Sequence, residues 1–462
     1  MIKKKIFIIA FLIQLVVCSS AQLPTAKEIS GKLGVGWNMG NTLEAIGGET
    51  AWGGAKTTQA LIDSVKKAGF NTVRLPVAWF SHSDTISSFI DENWLERVKE
   101  VVDYCINDDL YVIINMHWDL GWLENRINQA NKNIINDRLD KYWTQIADYF
   151  IDYDEHLLFA AANEPNVENA EGMKILMSFY QTFVDAVRYT GGNNSSRCLI
   201  IQGPSTDIDK TNRLMNTMPV DEIEDRIIVE VHYYTPYQFC LMNEDASWGK
   251  MFYYWGKDFH SSTDTQRNAT WGEEDELDRL FGLMKTKFVD KGIPVIIGEF
   301  GAYKRKLNPP SDQELHNKSV EYFNKYVVKS ALSKGMIPYY WDTNMGLFNR
   351  SKGKVLDNGL LNALMEGAEE ATGSQTYVPE SIEGIDVFPN PFTSVIYLNV
   401  KYSEKIVGVK IFDSLGKLVE SVQPDGENNL LALGACLKPD IYFIQVSGTN
   451  WIKSFKTTKV SN

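Results

Sequence analysis

Two glutamates carry the first chemical signal in this sequence. Glu164 closes the run Phe159-Ala160-Ala161-Ala162-Asn163-Glu164-Pro165, and Glu299 closes Ile297-Gly298-Glu299-Phe300-Gly301. Each follows an apolar stretch that reads as a buried strand, where an ionisable group is costly without a partner or a purpose. A converging pair of carboxylates is the equipment of glycosidic bond cleavage: one protonates the leaving oxygen while the other attacks the sugar or activates water. Either one alone would serve as well as an ion-pair partner at the rim of a fold. Polar residues end the other apolar runs too, and they favour a shared site: Trp37-Asn38, Arg74, His117-Trp118, His232-Tyr233-Tyr234 and Trp341-Asp342.

The elements that must position these residues alternate along the chain. Eight β-like runs occur between Leu33 and Ala371: Leu33 to Asn38, Asn71 to Pro76, Tyr111 to His117, His156 to Ala161, Cys198 to Gly203, Arg226 to His232, Pro294 to Glu299 and Met336 to Trp341. Amphipathic helical stretches separate them, among them Thr58 to Ala68 and Asn93 to Asn107, the latter with Trp94, Val98, Val101, Val102 and Cys105 on one face. Strands apolar on both faces, each followed by a helix, imply a parallel sheet covered on both sides. Eight such units predict an α/β fold closed as a (β/α)₈ TIM barrel, which places functional residues at the C-terminal ends of the strands.

The ends of the chain read differently. Residues 1–21 form a secretory signal: basic Lys3 to Lys5, an apolar stretch through Val17, then small Ser19, Ser20 and Ala21. The stretch is short for a membrane anchor, and Val17 stands where a lipoprotein signal before Cys18 would want a small residue. The catalytic barrel is assigned to residues 22–372 and a polar linker to 373–384. A small all-β sandwich follows over 385–462, with strands Val395 to Val400, Val407 to Phe412, Leu418 to Val422, Ile441 to Val446 and Ile452 to Thr457. The four cysteines beyond the signal (Cys105, Cys198, Cys240 and Cys436) lie in no CxxC or His-rich setting, so no metal site is expected. The formal net charge of −13 disfavours nucleic acid and anionic membrane. From Ile382 onward 8 lysines, no arginine and 8 acidic residues cancel, which leaves the acidity to the barrel.

From Gly34 to Asp342 the sequence resembles glycoside hydrolase family 5, retaining endo-β-glucanases built on a (β/α)₈ barrel. Four motifs in order carry the resemblance: Gly36-Trp37-Asn38-Met39-Gly40-Asn41-Thr42-Leu43-Glu44, Phe70-Asn71-Thr72-Val73-Arg74-Leu75-Pro76, Asn163-Glu164-Pro165 and Gly298-Glu299-Phe300-Gly301. It implies that Glu164 is the general acid/base and Glu299 the nucleophile. It further implies that Asn163 bonds the sugar 2-hydroxyl, that Tyr234 of the His232-x-Tyr234 pair supports the nucleophile, and that Trp341 forms the floor under the reacting sugar. Arg74 and His117 join this substrate-binding set, and Asn38 is expected either to contact a sugar further from the cleavage point or to cap the first loop. Trp52, Trp118, Trp248 and Trp255 serve packing or sugar stacking equally well. Ala160, Ala161 and Trp118 replace polar residues common in the family, which loosens any link to one substrate subgroup.

The tail resembles the type IX secretion sorting domain through Val387-Phe388-Pro389-Asn390-Pro391-Phe392 and Ile411-Phe412-Asp413-Ser414-Leu415-Gly416-Lys417. It implies export through the outer-membrane type IX machinery, with the rival that this domain binds carbohydrate. The expectation is a secreted or surface-attached, monomeric, cofactor-independent endo-β-1,4-glucanase acting on cellulose or a related β-glucan. Xyloglucan and β-mannan are the alternative substrates. A non-catalytic glycan-binding protein and a surface adhesin are the rivals of another class.

Overall fold

The computed structural model describes residues 23–372 except 310, 344 and 345, and, in the C-terminal region, residues 385–388, 390, 392–400, 406–414, 416–423, 430–448 and 452–460. The expected signal peptide and linker lie outside the described residues. The chain divides into two compact units, 1–373 and 374–462.

The first unit is a closed barrel of eight parallel strands in sequence order. They are β1 (Gly36–Met39), β2 (Thr72–Leu75), β3 (Tyr111–Asn115), β4 (Leu157–Ala160), β5 (Leu199–Gln202), β6 (Ile227–Tyr233), β7 (Val295–Phe300) and β8 (Met336–Asp342). Closure is made by β8 on β1, where Gly36 faces Tyr339 and Asn38 faces Trp341; after β8 the short strands β9 (Phe348–Asn349) and β10 (Lys354–Val355) pair as a hairpin. The outer layer consists of α2 (Gln59–Lys67), α3 (Glu92–Asn107), α4 (Lys132–Tyr149), α5 (Ala170–Tyr189), α6 (Ile208–Leu214), α8 (Glu274–Lys287), α9 (Gln313–Ser333) and α10 (Asn358–Thr372), with a short α7 (Tyr237–Cys240) in the long connection after β6. In α3 the predicted face is the buried one: Trp94, Val98, Val101, Val102 and Cys105, together with Leu95. Asp91 caps its start by accepting from the Asn93 N–H. At roughly 1.5–3 kcal/mol for each large apolar side chain, such faces hold the helices on the barrel.

One correction concerns the first strand. Leu33 ends a helix, α1 (Ala26–Leu33), opened by a reciprocal capping box between Thr25 and Glu28. Gly34, at φ 59°, ends it as only a residue free of a Cβ does at low cost. Ala26, Ile29 and Leu33 pack against Ile113, Leu158, Ile200, Ile228, Ile296 and Ile337, sealing the N-terminal end of the barrel and leaving the other end for the site.

These core residues also show which strand positions face inward. Along β7 the inward series is Ile296 then Gly298, so strict alternation would send Glu299 out toward the helices. The register with β6 slips between Val231/His232, and the register with β8 slips between Ile297/Phe300. This irregularity turns Glu299 into the barrel mouth, a common use of bulges beside active sites.

The second unit holds two antiparallel sheets. One contains β11 (Ile385–Phe388), β12 (Ile396–Val400) and β15 (Leu430–Leu433); the other contains β13 (Ile406–Asp413), β14 (Leu418–Val422), β16 (Asp440–Gly448) and β17 (Ile452–Lys459). Phe392, Ile396, Leu398, Val409, Ile411, Leu433, Tyr442, Ile444 and Val446 form their shared core. Strands β11 and β15 add to the five expected. The cysteines among the described residues are free, Cys105, Cys198 and Cys240 being buried and Cys436 exposed.

Candidate active site

Arg74, on β2, is the centre of the constellation. Its guanidinium is fully buried, and its two terminal nitrogens serve four acceptors. Nη1 lies 2.9 Å from Glu299 Oε1 and 2.9 Å from Asn38 Oδ1. Nη2 lies 3.1 Å from Asn163 Oδ1 and 3.0 Å from Glu230 Oε1. A fork of fixed geometry can align four groups, from β1, β6, β7 and the segment after β4, in this way, and an ammonium cannot.

Arg74 and Asn38 are both 0% exposed, so the expectation that they touch substrate is corrected. Asn38 spends its amide inside the barrel, donating to the carbonyls of Gly298 (2.8 Å) and Tyr339 (3.2 Å) while its oxygen accepts from Arg74. Both lie inside the barrel and are hydrogen-bonded to each other.

Above them sit the carboxylates. Glu299 accepts from Arg74 on one oxygen and from the Tyr234 hydroxyl on the other, at 3.1 Å. Glu164 stands at the mouth with its side chain 46% exposed, and its Oε1 lies 2.7 Å from His232 Nδ1. One oxygen of Glu164 and one of Glu299 lie within 4.8 Å of each other, with His232 Nδ1 3.7 Å from Glu299 Oε2. The other ring nitrogen of His232, Nε2, is 3.1 Å from Glu230 Oε1. Burial alone would lower the His232 pKa, but Glu299, Glu164 and Glu230 outweigh it and push it up to about 9. Burial would likewise raise Glu164, yet the hydrogen bond and charge of His232, then Arg74, hold it below the ordinary carboxylate range. Glu299 is raised: its burial outweighs the attraction of His232 and Arg74.

Glu164, His232 and Glu299 are spaced closely enough to hold a cation. The same short spacings are accounted for by the hydrogen bonds of His232 to Glu164 and Glu230.

Two further residues line the mouth. The His117 ring stacks on Trp341 with centroids 5.7 Å apart at 12°. His117 is held neutral by burial, reinforced by Arg74 and His232. The Asn115 oxygen accepts from the Val77 N–H, so its amide nitrogen is what meets His117 Nδ1 at 3.1 Å. The proton of this imidazole therefore sits on Nε2. The Trp341 indole packs against Gly40, where a Cβ would come within 2.6 Å of the ring.

Several residues of the site went unnamed in the sequence reading. Glu230 and Gln202 are fully buried beneath His232, and Thr206 reaches Glu164 Oε1 at 3.4 Å. The signal for Glu230 was its spacing: two residues before His232 on one strand, it shares the inward face. Glu124, after β3, is buried near Glu164; burial raises its pKa to about 8 although its own backbone N–H opposes this, and Asp119 and Glu164 add to the rise. Of the optional tryptophans, Trp255 is core, 0% exposed with its indole N–H on the Gly272 carbonyl. Trp52, Trp118 and Trp248 are exposed on connections that follow β1, β3 and β6.

Residues 38–345 match the profile of Cellulase (glycosyl hydrolase family 5). The chain belongs to glycosyl hydrolase family 5. It is 36% identical over 378 residues to Endoglucanase A of Paenibacillus barcinonensis, covering 75% of this chain and 90% of that protein. It is also 36% identical over 363 residues to the xyloglucan-specific endo-beta-1,4-glucanase of Bacteroides ovatus, covering 74% and 70% respectively. Among solved structures, a family 5 xyloglucan-specific beta-1,4-glucanase from a ruminal metagenomic library, in complex with XXLG, superposes with a TM-score of 0.70. That match has 40% identity and covers 77% of this chain and 98% of that one. Residues 386–459 match the secretion system C-terminal sorting domain. This family 5 enzyme is therefore a glycoside hydrolase carrying a sorting domain. No helix among the described residues is long and apolar enough to cross a membrane.

Proposed function

We propose that this protein is a secreted, retaining endo-β-1,4-glucanase in which Glu299 is the nucleophile and Glu164 the general acid/base. The observation that carries this reading is the carboxylate pair itself, with oxygens within 4.8 Å of each other. Retaining hydrolysis works with carboxyl groups about 5–5.5 Å apart, whereas inversion needs about 6.5–9.5 Å for an intervening water. Glu299 attacks the anomeric carbon while Arg74 and Tyr234 hold its two oxygens on line. Glu164 protonates the departing oxygen, then takes a proton from the water that hydrolyses the glycosyl ester. The free site stores that acid proton on His232 Nδ1, one hydrogen bond from Glu164. As Glu299 becomes an ester its charge disappears, and His232 loses one of the anions that hold its proton.

Around the reacting sugar, Trp341 supplies an apolar floor and His117 an N–H donor. The Asn163 oxygen is taken by Arg74, which leaves its amide N–H₂ for the 2-hydroxyl. Xyloglucan is the second substrate reading, favoured by the likeness to xyloglucan-specific relatives. The sorting domain supports delivery to the cell surface or beyond after a signal peptide at residues 1–21, and the enzyme acts as a monomer.

The test replaces Glu164 and Glu299 by Gln. Each variant is expected to lose turnover by at least about 10²-fold while keeping glycan binding. Wild-type activity in both would refute the assignment. NMR of the first-formed product anomer reads the stereochemistry, and an inverted product would contradict retention. Comparison of cellulose, mixed-linkage glucan, xyloglucan and mannan ranks the substrates.

A further inference from the structure

Below the catalytic pair lies a third carboxylate that the double-displacement scheme does not use. Glu230 is on β6, 0% exposed, and each of its oxygens is engaged. Oε1 accepts from Arg74 Nη2 at 3.0 Å and from His232 Nε2 at 3.1 Å; Oε2 accepts from Gln202 Nε2 at 2.6 Å. The orientation of Gln202 is set independently, because its oxygen accepts from the Ala162 N–H at 2.9 Å. Space for this carboxylate is provided by Gly298 on the neighbouring strand β7, where a Cβ would land on Glu230 Oε1. The residue that makes room for Glu230 thus sits directly before the nucleophile.

His232 is therefore a histidine between two carboxylates, Glu164 at Nδ1 and Glu230 at Nε2. Ionised carboxylates only accept, so each contact requires an N–H on the ring. We propose that Glu230 is a positioning residue of the hydrolysis: it holds His232 as an imidazolium with Nδ1–H on Glu164 and so retains, in the free enzyme, the proton that Glu164 must deliver. This rests on the reading of Glu164 as the acid. In the transfer the Nδ1–H bond breaks as a Glu164 O–H bond forms, leaving His232 neutral with Nε2–H still on Glu230. When Glu164 takes a proton from the hydrolytic water, the reverse transfer restores the imidazolium. Glu230 makes the exchange directional, since its hydrogen bond keeps the Nε2 proton in place and leaves Nδ1 as the nitrogen that gives and receives.

The charges facing this pair come from every side of the barrel. Glu164, Glu230 and Glu299 favour the imidazolium; Arg74, on β2, is the cation facing it through Glu230, and His117, after β3, is neutral. Tyr234 also faces the carboxylates, and Tyr180 and Tyr339 lie near Glu230. A raised histidine keeps its proton below its folded pKa and loses it above, so activity is lost at the alkaline side when the His232/Glu164 pair gives up its shared proton. Removing the Glu230 charge moves that loss to lower pH.

Two variants test this. Glu230→Gln removes the charge but sets its amide nitrogen against that of Gln202. The double variant Glu230→Gln/Gln202→Glu restores a complete hydrogen-bond pattern and moves the charge one residue away from His232. The alkaline limb of kcat/KM on a soluble β-glucan is expected to fall by about 1–3 pH units in both variants. A limb at the wild-type position in either folded variant overturns the proposal, as does an even loss of rate at all pH values, the mark of a purely structural role. Imidazole ¹⁵N spectra of the wild type supply a measurement independent of variant folding, helped by a sequence with 6 histidines. His232 protonated on both nitrogens at pH 7.5 supports the proposal, and neutral His232 refutes it. Failure of the underlying reading is distinguishable, because then Glu164→Gln itself would retain turnover.

Discussion

Arg74 shows how much of the candidate site is held together by one fully buried side chain. Its guanidinium joins Glu299, Asn38, Asn163 and Glu230, so its fork holds the proposed nucleophile and the proposed 2-hydroxyl donor in one geometry. Arg74→Lys keeps the charge but loses the fork. The expected result is a fall in kcat of about 10²-fold with KM nearly unchanged, since a misplacement of about 1 Å is enough for that loss. An equal effect on KM would mean that Arg74 contacts the sugar after all. Glu124 supports a second prediction at this scale. Its folded pKa, raised to about 8, lies above the unfolded value near 4.5. The stability it contributes is therefore complete below about pH 4.5 and lost as pH rises through about 8. Glu124→Gln cannot ionise, so its Tm relative to wild type should climb between pH 5 and pH 9; a constant difference would contradict the burial argument. The convergence of Glu164 and Glu299 on one mouth was legible from the motifs that surround them. The place of Asn38 was illegible, because a polar residue at a strand end reads alike whether it faces the mouth or, as here, bonds inward to carbonyls of β7 and β8.

At the scale of elements, the eight apolar runs located the strands within a few residues, and the helix faces followed from spacing. Two features needed coordinates. The β7 irregularity that brings Glu299 inward leaves no periodic signal, for Ile297-Gly298-Glu299 reads the same with or without a slipped register. Helix α1 was hidden because Leu33-Gly34-Val35 is apolar enough to pass for strand. Its capping box and the turn at Gly34 decide the matter. The meeting of β1 and β8 likewise explains Gly40, whose requirement is room and not unusual dihedrals. An alanine there meets the Trp341 ring at 2.6 Å and the Asp342 carbonyl at 2.8 Å; the latter is backbone and cannot yield cheaply. Gly40→Ala is expected to tilt the Trp341 floor, raising KM for glucan and destabilising the barrel by about 1–3 kcal/mol. Unchanged KM and unchanged indole fluorescence would show that Trp341 does not depend on this glycine.

For the whole molecule the question is whether the two units have separable tasks. Each has its own core: the barrel is sealed by α1, and the tail by Phe392, Leu398, Ile444 and their neighbours. Among the described residues the tail shows no row of exposed aromatic rings of the kind a glycan-binding face would use. Tyr442, one of its candidates, is 5% exposed with its hydroxyl on the Lys438 carbonyl, while Tyr402 and Trp451 lie outside the described residues. The charge balance agrees with a division of labour, the acidity lying in the barrel and the tail being neutral. A chain ending at Thr372 is therefore expected to fold and to keep the kcat/KM of the full protein on soluble β-glucan, because an independent core lets a domain fold alone. In a host with type IX secretion the same truncation should leave the enzyme inside the envelope, whereas the full chain reaches the surface or the medium. Three outcomes separate the possibilities. Lost activity on soluble substrate would make the tail part of the catalytic unit. Activity lost on insoluble cellulose alone would make it a binding domain, and export of the truncated chain would remove its sorting role.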